Sequence, residues 1–140
     1  MKLRSFLVPL AFLLVLALVT VACEFSVSTA KIKSATLAKD YADGKAVNPT
    51  TVFAPEDAVF HFVVEVANAP DDTTVKAIWH LVEAEGYEPS PIDEVAMTLE
   101  SGQEVVDFTL SANQLWPVGK YKVELYLNDK LDRTLDFEVQ

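Results

Sequence analysis

The chain has 140 residues, of which 21 are acidic and 11 are basic, and its formal net charge at pH 7 is −10. This length accommodates one domain with a hydrophobic core. The acidic balance argues against binding nucleic acid or an anionic lipid surface through a basic patch. Cys23 is the one cysteine of the sequence, so no disulfide can form within the chain and the fold must rest on packing.

The start of the sequence has the parts of a secretory signal. Lys2 and Arg4 provide positive charge, and the 17 residues from Phe6 to Ala22 carry no charge. A charged beginning, an apolar middle and a small residue before the cleavage point are the features of such a signal.

The end of this segment, Thr20-Val21-Ala22-Cys23, resembles the lipobox of bacterial lipoproteins, with Thr20 where leucine or valine is usual. The resemblance implies that residues 1–22 are a signal peptide and that the Cys23 thiol is lipidated after cleavage. It also implies a bacterial, extracytoplasmic protein held to a membrane by its lipid chains. Loss of the signal leaves 118 residues with 9 basic and 21 acidic side chains, a formal charge of −12.

Two other fates of this segment stay open. An ordinary signal peptidase could cleave after Ala22 or Ala30, since small residues precede both positions. The apolar run could also remain as an uncleaved anchor, because a span needs about 17–25 residues. All three fates export the chain beyond Cys23, since Lys2 and Arg4 favour the cytoplasmic side.

Residues 23–30 form a short polar stretch that we interpret as a tether, and residues 31–140 form the predicted domain. Within the domain, short segments of alternating apolar and polar residues are separated by Gly, Pro, Asn and Asp. This spacing, with almost no helical periodicity, predicts an antiparallel sandwich. The candidate strands are Lys31–Ala38, Thr50–Phe53, Ala58–Ala67, Thr74–Glu83, Val95–Glu100, Val105–Leu110, Lys120–Leu127 and Leu131–Val139.

The alternation also assigns a buried face to several strands, as sheet-on-sheet packing requires. A three-residue loop over residues 128–130 predicts a hairpin that pairs Val123 with Leu135 and Tyr121 with Phe137. The predicted inward rows are Phe60, Phe62, Val64 and Val66; Val95, Met97 and Leu99; Val106, Phe108 and Leu110; Tyr121, Val123, Leu125 and Leu127; and Leu135, Phe137 and Val139.

Two features indicate the type of sandwich. Trp79 lies mid-strand on the apolar face, as a central core tryptophan does. The run from Leu115 to Tyr121 resembles the corner before the penultimate strand of immunoglobulin-like domains, where a tyrosine hydrogen-bonds backward. The chain therefore resembles disulfide-free bacterial immunoglobulin-like and fibronectin-like modules. The resemblance implies an all-β, antiparallel immunoglobulin-like sandwich of seven to eight strands, with a role in adhesion, envelope assembly or spacing.

No catalytic motif appears in the sequence, and we expect neither an enzyme nor a cofactor. His61 and His80 point outward; they would face each other in a simple hairpin, but immunoglobulin topology separates them onto opposite sheets. Asp71 and Asp72 have the oxygen ligands that calcium prefers, although turns use the same residues. We therefore treat these four residues as weak metal candidates and assign no metal.

The candidate binding surface consists of apolar and aromatic residues expected to be exposed. Ile78 and Tyr126 are expected side by side on an outer face. Tyr87 lies in the acidic, proline-containing segment Glu83–Glu94, and sandwiches usually place recognition on loops. Trp116 is the second candidate, with packing over the end of the sandwich as the alternative role for its side chain. We expect a non-catalytic binding module for a protein or envelope component. A carbohydrate-binding module and a purely structural spacer are the alternatives.

Overall fold

The computed structural model describes residues 28–140, and this part of the chain contains nine β-strands and no helix. The predicted all-β class is confirmed, with nine strands in place of the predicted seven to eight. The strands are β1 (Lys31–Ala42), β2 (Lys45–Pro49), β3 (Val52–Phe53), β4 (Val59–Ala67), β5 (Thr74–Ala84), β6 (Ser90–Thr98), β7 (Val105–Ser111), β8 (Gly119–Leu127) and β9 (Lys130–Val139).

The strands form two sheets. One has four strands in the order β2-β1-β4-β7, and the other has five in the order β3-β9-β8-β5-β6. The neighbouring strands are antiparallel except for the short parallel pair of β3 with β9. The chain crosses between the sheets from β2 to β3, from β3 to β4, from β4 to β5, from β6 to β7 and from β7 to β8. The last three crossings are those of an immunoglobulin-like sandwich.

The core fills the space between the two sheets. Trp79 is 0% exposed and makes edge-to-face contacts with Phe62 and Phe137 at centroid distances of 6.0 and 5.9 Å. Such aromatic contacts add to the stabilisation from burial alone. The predicted central position of Trp79 is confirmed, and the inward rows predicted for β4 and β7 are buried.

Strand β2 is the element that the sequence did not predict. β1 continues past its predicted end at Ala38 and turns at Asp43 and Gly44, whose φ values are 51° and 73°. Positive φ at both positions is typical of the two-residue hairpin turn that Asp-Gly favours. Residues 45–49 lack an alternating pattern, so the sequence predicted no strand after this turn.

Strand β6 also differs from its prediction. It begins at Ser90 and ends at Thr98, whereas the alternation predicted a strand from 95 to 100. Met97 was expected to face inward but is 37% exposed, while Leu99 is buried. The physical reason is the position of β6 at the edge of its sheet, where a strand also tolerates a proline such as Pro91.

The predicted hairpin of β8 and β9 is confirmed in its register, since Tyr121 pairs with Phe137 and Val123 with Leu135. The turn itself is shorter than predicted. Its two residues, 128 and 129, have φ values of 48° and 63°. A register shift between Leu125 and Tyr126 supplies the extra residue.

The predicted signal peptide, the lipidation site Cys23 and most of the predicted tether lie outside the described residues. Two residues of the tether contact the domain: Thr29 Oγ1 donates a 2.9 Å hydrogen bond to the carbonyl of Asn68, and Ser28 Oγ accepts one of 3.2 Å from Asn128 Nδ2. Between residues 28 and 140, no helix is long and apolar enough to cross a membrane.

Candidate binding cleft

The loop before β8 is fixed by a tyrosine corner. Tyr121 Oη donates a 2.7 Å hydrogen bond to the carbonyl of Pro117, as predicted from the sequence. Burial raises the pKa of the Tyr121 phenol, and the nearby Tyr87 phenol adds to the rise. The Tyr121 hydroxyl therefore remains protonated at neutral pH and holds the loop in one geometry.

Trp116 belongs to the core and packs over the end of the sandwich, whereas its role as a contact residue stays a prediction. The side chain is 8% exposed and stacks on Phe60 at a centroid distance of 4.7 Å. Its indole Nε1 donates a 2.9 Å hydrogen bond to the carbonyl of Asp57. The apolar ring closes one end of the sandwich because the bond to Asp57 satisfies its polar atom.

These two aromatic residues form part of the wall of an apolar cleft, which we call the Tyr87 cleft. It lies between the β5–β6 turn and the β7–β8 loop, and its volume is about 290 Å³. Its lining residues are Leu81, Tyr87, Ser90, Pro91, Ile92, Trp116, Pro117 and Tyr121. The sequence identified Tyr87 and Trp116 as candidates but not Pro91, which follows the β5–β6 turn, or Pro117, which lies in the β7–β8 loop.

Tyr87 is the most exposed aromatic side chain of the cleft, with 56% of its surface open to solvent. Its position follows from a tight turn in which its backbone N–H donates to the carbonyl of Ala84 at 3.2 Å. Gly86 has a φ of 81° in this turn, which side-chain-bearing residues rarely adopt. The turn thus presents the phenol ring at the end of the sandwich on a short, defined backbone.

A second depression of about 340 Å³ adjoins the Tyr87 cleft. The two share Leu81, Ser90 and Pro91 in their walls, and the second extends to His80 and Lys122. Together they form one continuous surface at the start of β6, which is apolar around Leu81 and Pro91 and polar at His80 and Lys122.

Ile78 and Tyr126 do not line the cleft. They lie on the outer face of the five-stranded sheet, as expected, but both are half-buried. Tyr126 donates a 3.0 Å hydrogen bond to Glu124 Oε2, and Lys76 Nζ lies 4.8 Å from the centre of its ring. The polar and charged contacts of Tyr126 are therefore made within this face of the sheet. The structure does not bring Ile78 and Tyr126 together with Tyr87.

The two histidines lie in different sheets. His61 is on β4, where Nδ1 lies 2.8 Å from Asp107 Oδ2, and His80 is on β5, where Nε2 lies 3.3 Å from Glu124 Oε2 outside hydrogen-bond geometry. β4 and β5 do not pair, so the hairpin that would have joined the histidines does not form. A hydrogen bond from Lys122 lowers the pKa of the Glu124 carboxyl, which keeps that carboxylate charged.

Asp71 and Asp72 form part of the turn between β4 and β5. Asp72 has a φ of 68°, and Asn68 in the same connection has a φ of 53°. Asp and Asn tolerate this left-handed conformation better than most residues, which accounts for their presence. Residues 28–140 contain no group of three or more His, Cys, Asp or Glu side chains placed to hold a metal ion.

Comparison with known proteins gives a likeness in fold. No family model and no curated protein matches the sequence. An immunoglobulin-like protein from Pseudomonas aeruginosa is similar in structure, with a TM-score of 0.57 and 15% sequence identity, over 79% of this chain and 96% of that one. At this identity the likeness shows the fold alone.

Two further structures share less of the geometry. They are a superoxide reductase (neelaredoxin) from Ignicoccus hospitalis and a variant of it, each 18% identical, with TM-scores of 0.43 and 0.42. The matches cover 80% and 81% of this chain and the same shares of those chains. These scores carry no conclusion about this chain, which has the fold of an immunoglobulin-like β-sandwich.

Proposed function

We propose that the chain is a membrane-anchored, extracytoplasmic bacterial lipoprotein whose sandwich is a non-catalytic binding module for a protein or another envelope component. Lipid at Cys23 is the proposed anchor. The observation that carries the binding role is the Tyr87 cleft, in which the exposed ring of Tyr87 lies beside the buried, hydrogen-bonded side chains of Trp116 and Tyr121. Rigid aromatic anchors of this kind dominate many binding surfaces.

The position of the cleft along the sandwich supports this proposal. Ser28 bonds to Asn128, and Asn128 bonds to Thr74 at the start of β5. The cleft lies near the other end of β5, where Leu81 lines it, seven residues or about 23 Å beyond Thr74. Ser28 follows Cys23 by five residues, which reach at most about 18 Å. An anchor at Cys23 thus presents the cleft on the side of the domain away from the membrane.

The chemistry of the cleft supports a non-catalytic role. Its lining residues include no histidine, carboxylate or thiol, and its two phenols belong to Tyr87 and Tyr121. The Tyr121 hydroxyl is engaged with Pro117 and its pKa is raised by burial. General acid–base catalysis needs a group that exchanges protons near neutral pH. The residues of the cleft wall are instead suited to apolar contact with a ligand.

The carbohydrate alternative depends on exposed, coplanar aromatic rings. Tyr87 is the exposed ring of the cleft, while Trp116 and Tyr121 are 8% and 2% exposed. A platform of two or more open rings is therefore not formed by these residues, which favours a protein partner. The spacer alternative predicts no partner at all.

Cross-linking on intact native cells tests the proposal. The full-length protein, purified under denaturing conditions, should carry a reproducible protein partner joined through residues 83–94. Cys23→Ser should release the protein from the membrane fraction and abolish incorporation of a fatty-acid label. Recovery of the protein alone would contradict the binding role, and unchanged membrane attachment of Cys23→Ser would contradict the lipid anchor.

A further inference from the structure

We propose that the partner of the Tyr87 cleft is an extended, cationic polypeptide segment that inserts one bulky apolar side chain into the cleft. This inference rests on the proposed binding function and specifies the chemistry of its partner. Three observations carry it: the apolar lining and size of the cleft, the charge of its rim, and the open edge of β6.

The size and lining of the cleft fit a side chain of a larger ligand. Pockets that enclose a whole small molecule usually have about 300–1,000 Å³, and the cleft has about 290 Å³. Its walls are formed mainly by aliphatic, aromatic and proline side chains. One apolar group is therefore accommodated, while the rest of the ligand lies outside, along the adjoining depression.

The chain segment 83–94, which borders the cleft and which we call its rim, is acidic. Segment 83–94, which contributes half of the lining residues, has five acidic residues and no basic residue. Glu83 pairs with Lys120 and Glu94 approaches Lys76 at 3.8 Å. The other three are exposed and form no ion pair with any of residues 28–140; they are Glu85, Glu88 and Asp93.

The negative charge of the rim favours a positively charged ligand. Glu88 directly follows Tyr87, and Asp93 directly follows Ile92, so two of the unpaired carboxylates adjoin the lining residues in the chain. Lys122, at the far side of the adjoining depression, is neutralised by Glu124 at 2.8 Å. Complementary charge steers association and rejects partners of like charge. A ligand that carries Lys or Arg beside its apolar group can form ion pairs with these carboxylates.

The edge of β6 favours an extended peptide. β6 is the last strand of its sheet, so one row of its backbone N–H and C=O groups faces no other strand of residues 28–140. An extended chain can bond to such an edge while its side chains enter neighbouring pockets. Ser90, Pro91 and Ile92 belong both to this strand and to the cleft wall, which places backbone and side-chain contacts together.

Selection from a displayed library of random twelve-residue peptides tests the inference. The target is the full chain, extracted from bacterial membranes in mild detergent. We expect the retained peptides to have an excess of Lys and Arg and one Leu, Ile, Phe, Tyr or Trp, and their affinity to fall as salt screens the rim. Tyr87→Ala should weaken binding by about tenfold or more, as truncation of an aromatic anchor does.

Two double variants distinguish the effect of the charge on the rim from the effect of the net charge of the protein. Glu85→Lys with Glu88→Lys should reverse the charge preference of the selected peptides. Glu100→Lys with Glu104→Lys makes the same change in net charge outside segment 83–94 and should leave the selection unchanged. Failure to enrich any peptide, or enrichment without positive charge, would overturn the inference. If cells yield a partner that cross-links to residues 83–94 but docks there without a cationic segment, only the inference about ligand charge fails. If cells yield no partner, the inference and the proposed binding function both fail.

Discussion

The indole Nε1 of Trp116 donates a hydrogen bond of 2.9 Å to the carbonyl oxygen of Asp57, a residue 59 positions earlier in the chain. This bond joins the β7–β8 loop to the loop between β3 and β4. A second bond in the same place runs from the backbone N–H of Trp116 to the carbonyl of Pro55 at 3.0 Å. The end of the sandwich is thereby closed, and one wall of the Tyr87 cleft becomes part of the core.

Trp116→Phe should lower the free energy of unfolding by about 1 kcal/mol, because the part-buried carbonyl of Asp57 loses its donor. Urea unfolding followed by circular dichroism measures the change. Leu115→Ala is the matched control, since Leu115 is 64% exposed and its loss should change stability by less than about 0.5 kcal/mol. Equal stability of Trp116→Phe and the wild type would refute the role of the indole bond.

Removal of the hydroxyl should lower the stability of the protein at Tyr121 but not at Tyr87. Tyr121→Phe breaks the 2.7 Å bond to Pro117 and should cost about 1 kcal/mol of stability. Tyr87→Phe removes a hydroxyl from a side chain that is 56% exposed and should leave stability unchanged. Denaturant titrations of both variants under one condition provide the comparison; a larger loss for Tyr87→Phe contradicts the assigned roles.

Gly119→Ala should be strongly destabilising. Gly119 pairs with Ala84 across β5 and β8, and a Cβ at this position would collide with the carbonyl of Glu83 and come within 2.9 Å of Ala84 Cβ. Because backbone cannot move aside cheaply, we expect a loss of about 2 kcal/mol or more. Thermal unfolding measures it, with Lys120→Ala as the neighbouring control. A wild-type midpoint for Gly119→Ala would show that the strands separate there at little cost.

Stability should depend on pH through Asp57. The backbone N–H of Ala54 donates to Asp57 Oδ2 at 2.8 Å and lowers the pKa of the carboxyl, and Lys39 at 2.9 Å lowers it further. Since the folded pKa lies below the ordinary 3.8, this stabilisation is complete above that value and is lost as pH falls through the folded pKa.

Asp57→Asn should remove that part of the acid dependence. Urea unfolding at a series of pH values between about 2 and 7 should give a flatter profile for the variant than for the wild type. Glu56→Gln, at the adjacent position, should keep the wild-type profile. Identical profiles for Asp57→Asn and the wild type would exclude Asp57 as a source of acid sensitivity.

The sequence predicted the sandwich and its central features because those depend on local patterns. Alternation located β4, β5, β7, β8 and β9, and the corner motif identified the bond of Tyr121. The sequence left open whether Trp116 is exposed or packs over the end of the sandwich, since its burial depends on Asp57, which is distant in sequence and contributes only its backbone carbonyl. The cleft also escaped prediction, because Pro91 and Pro117 come to line one cleft only through the packing of a strand edge against a loop.

Site-specific photo-cross-linking in native cells tests the binding role most directly. A photoreactive phenylalanine analogue replaces Glu88 beside the Tyr87 cleft in one strain and Asp129, in the turn at the end of the sandwich that contacts Ser28, in another. We predict that a protein partner cross-links from position 88 and not from position 129, and that Tyr87→Ala diminishes the product. Cross-linking from neither position, or equally from both, would contradict a partner-binding cleft at the end of the sandwich away from the anchor.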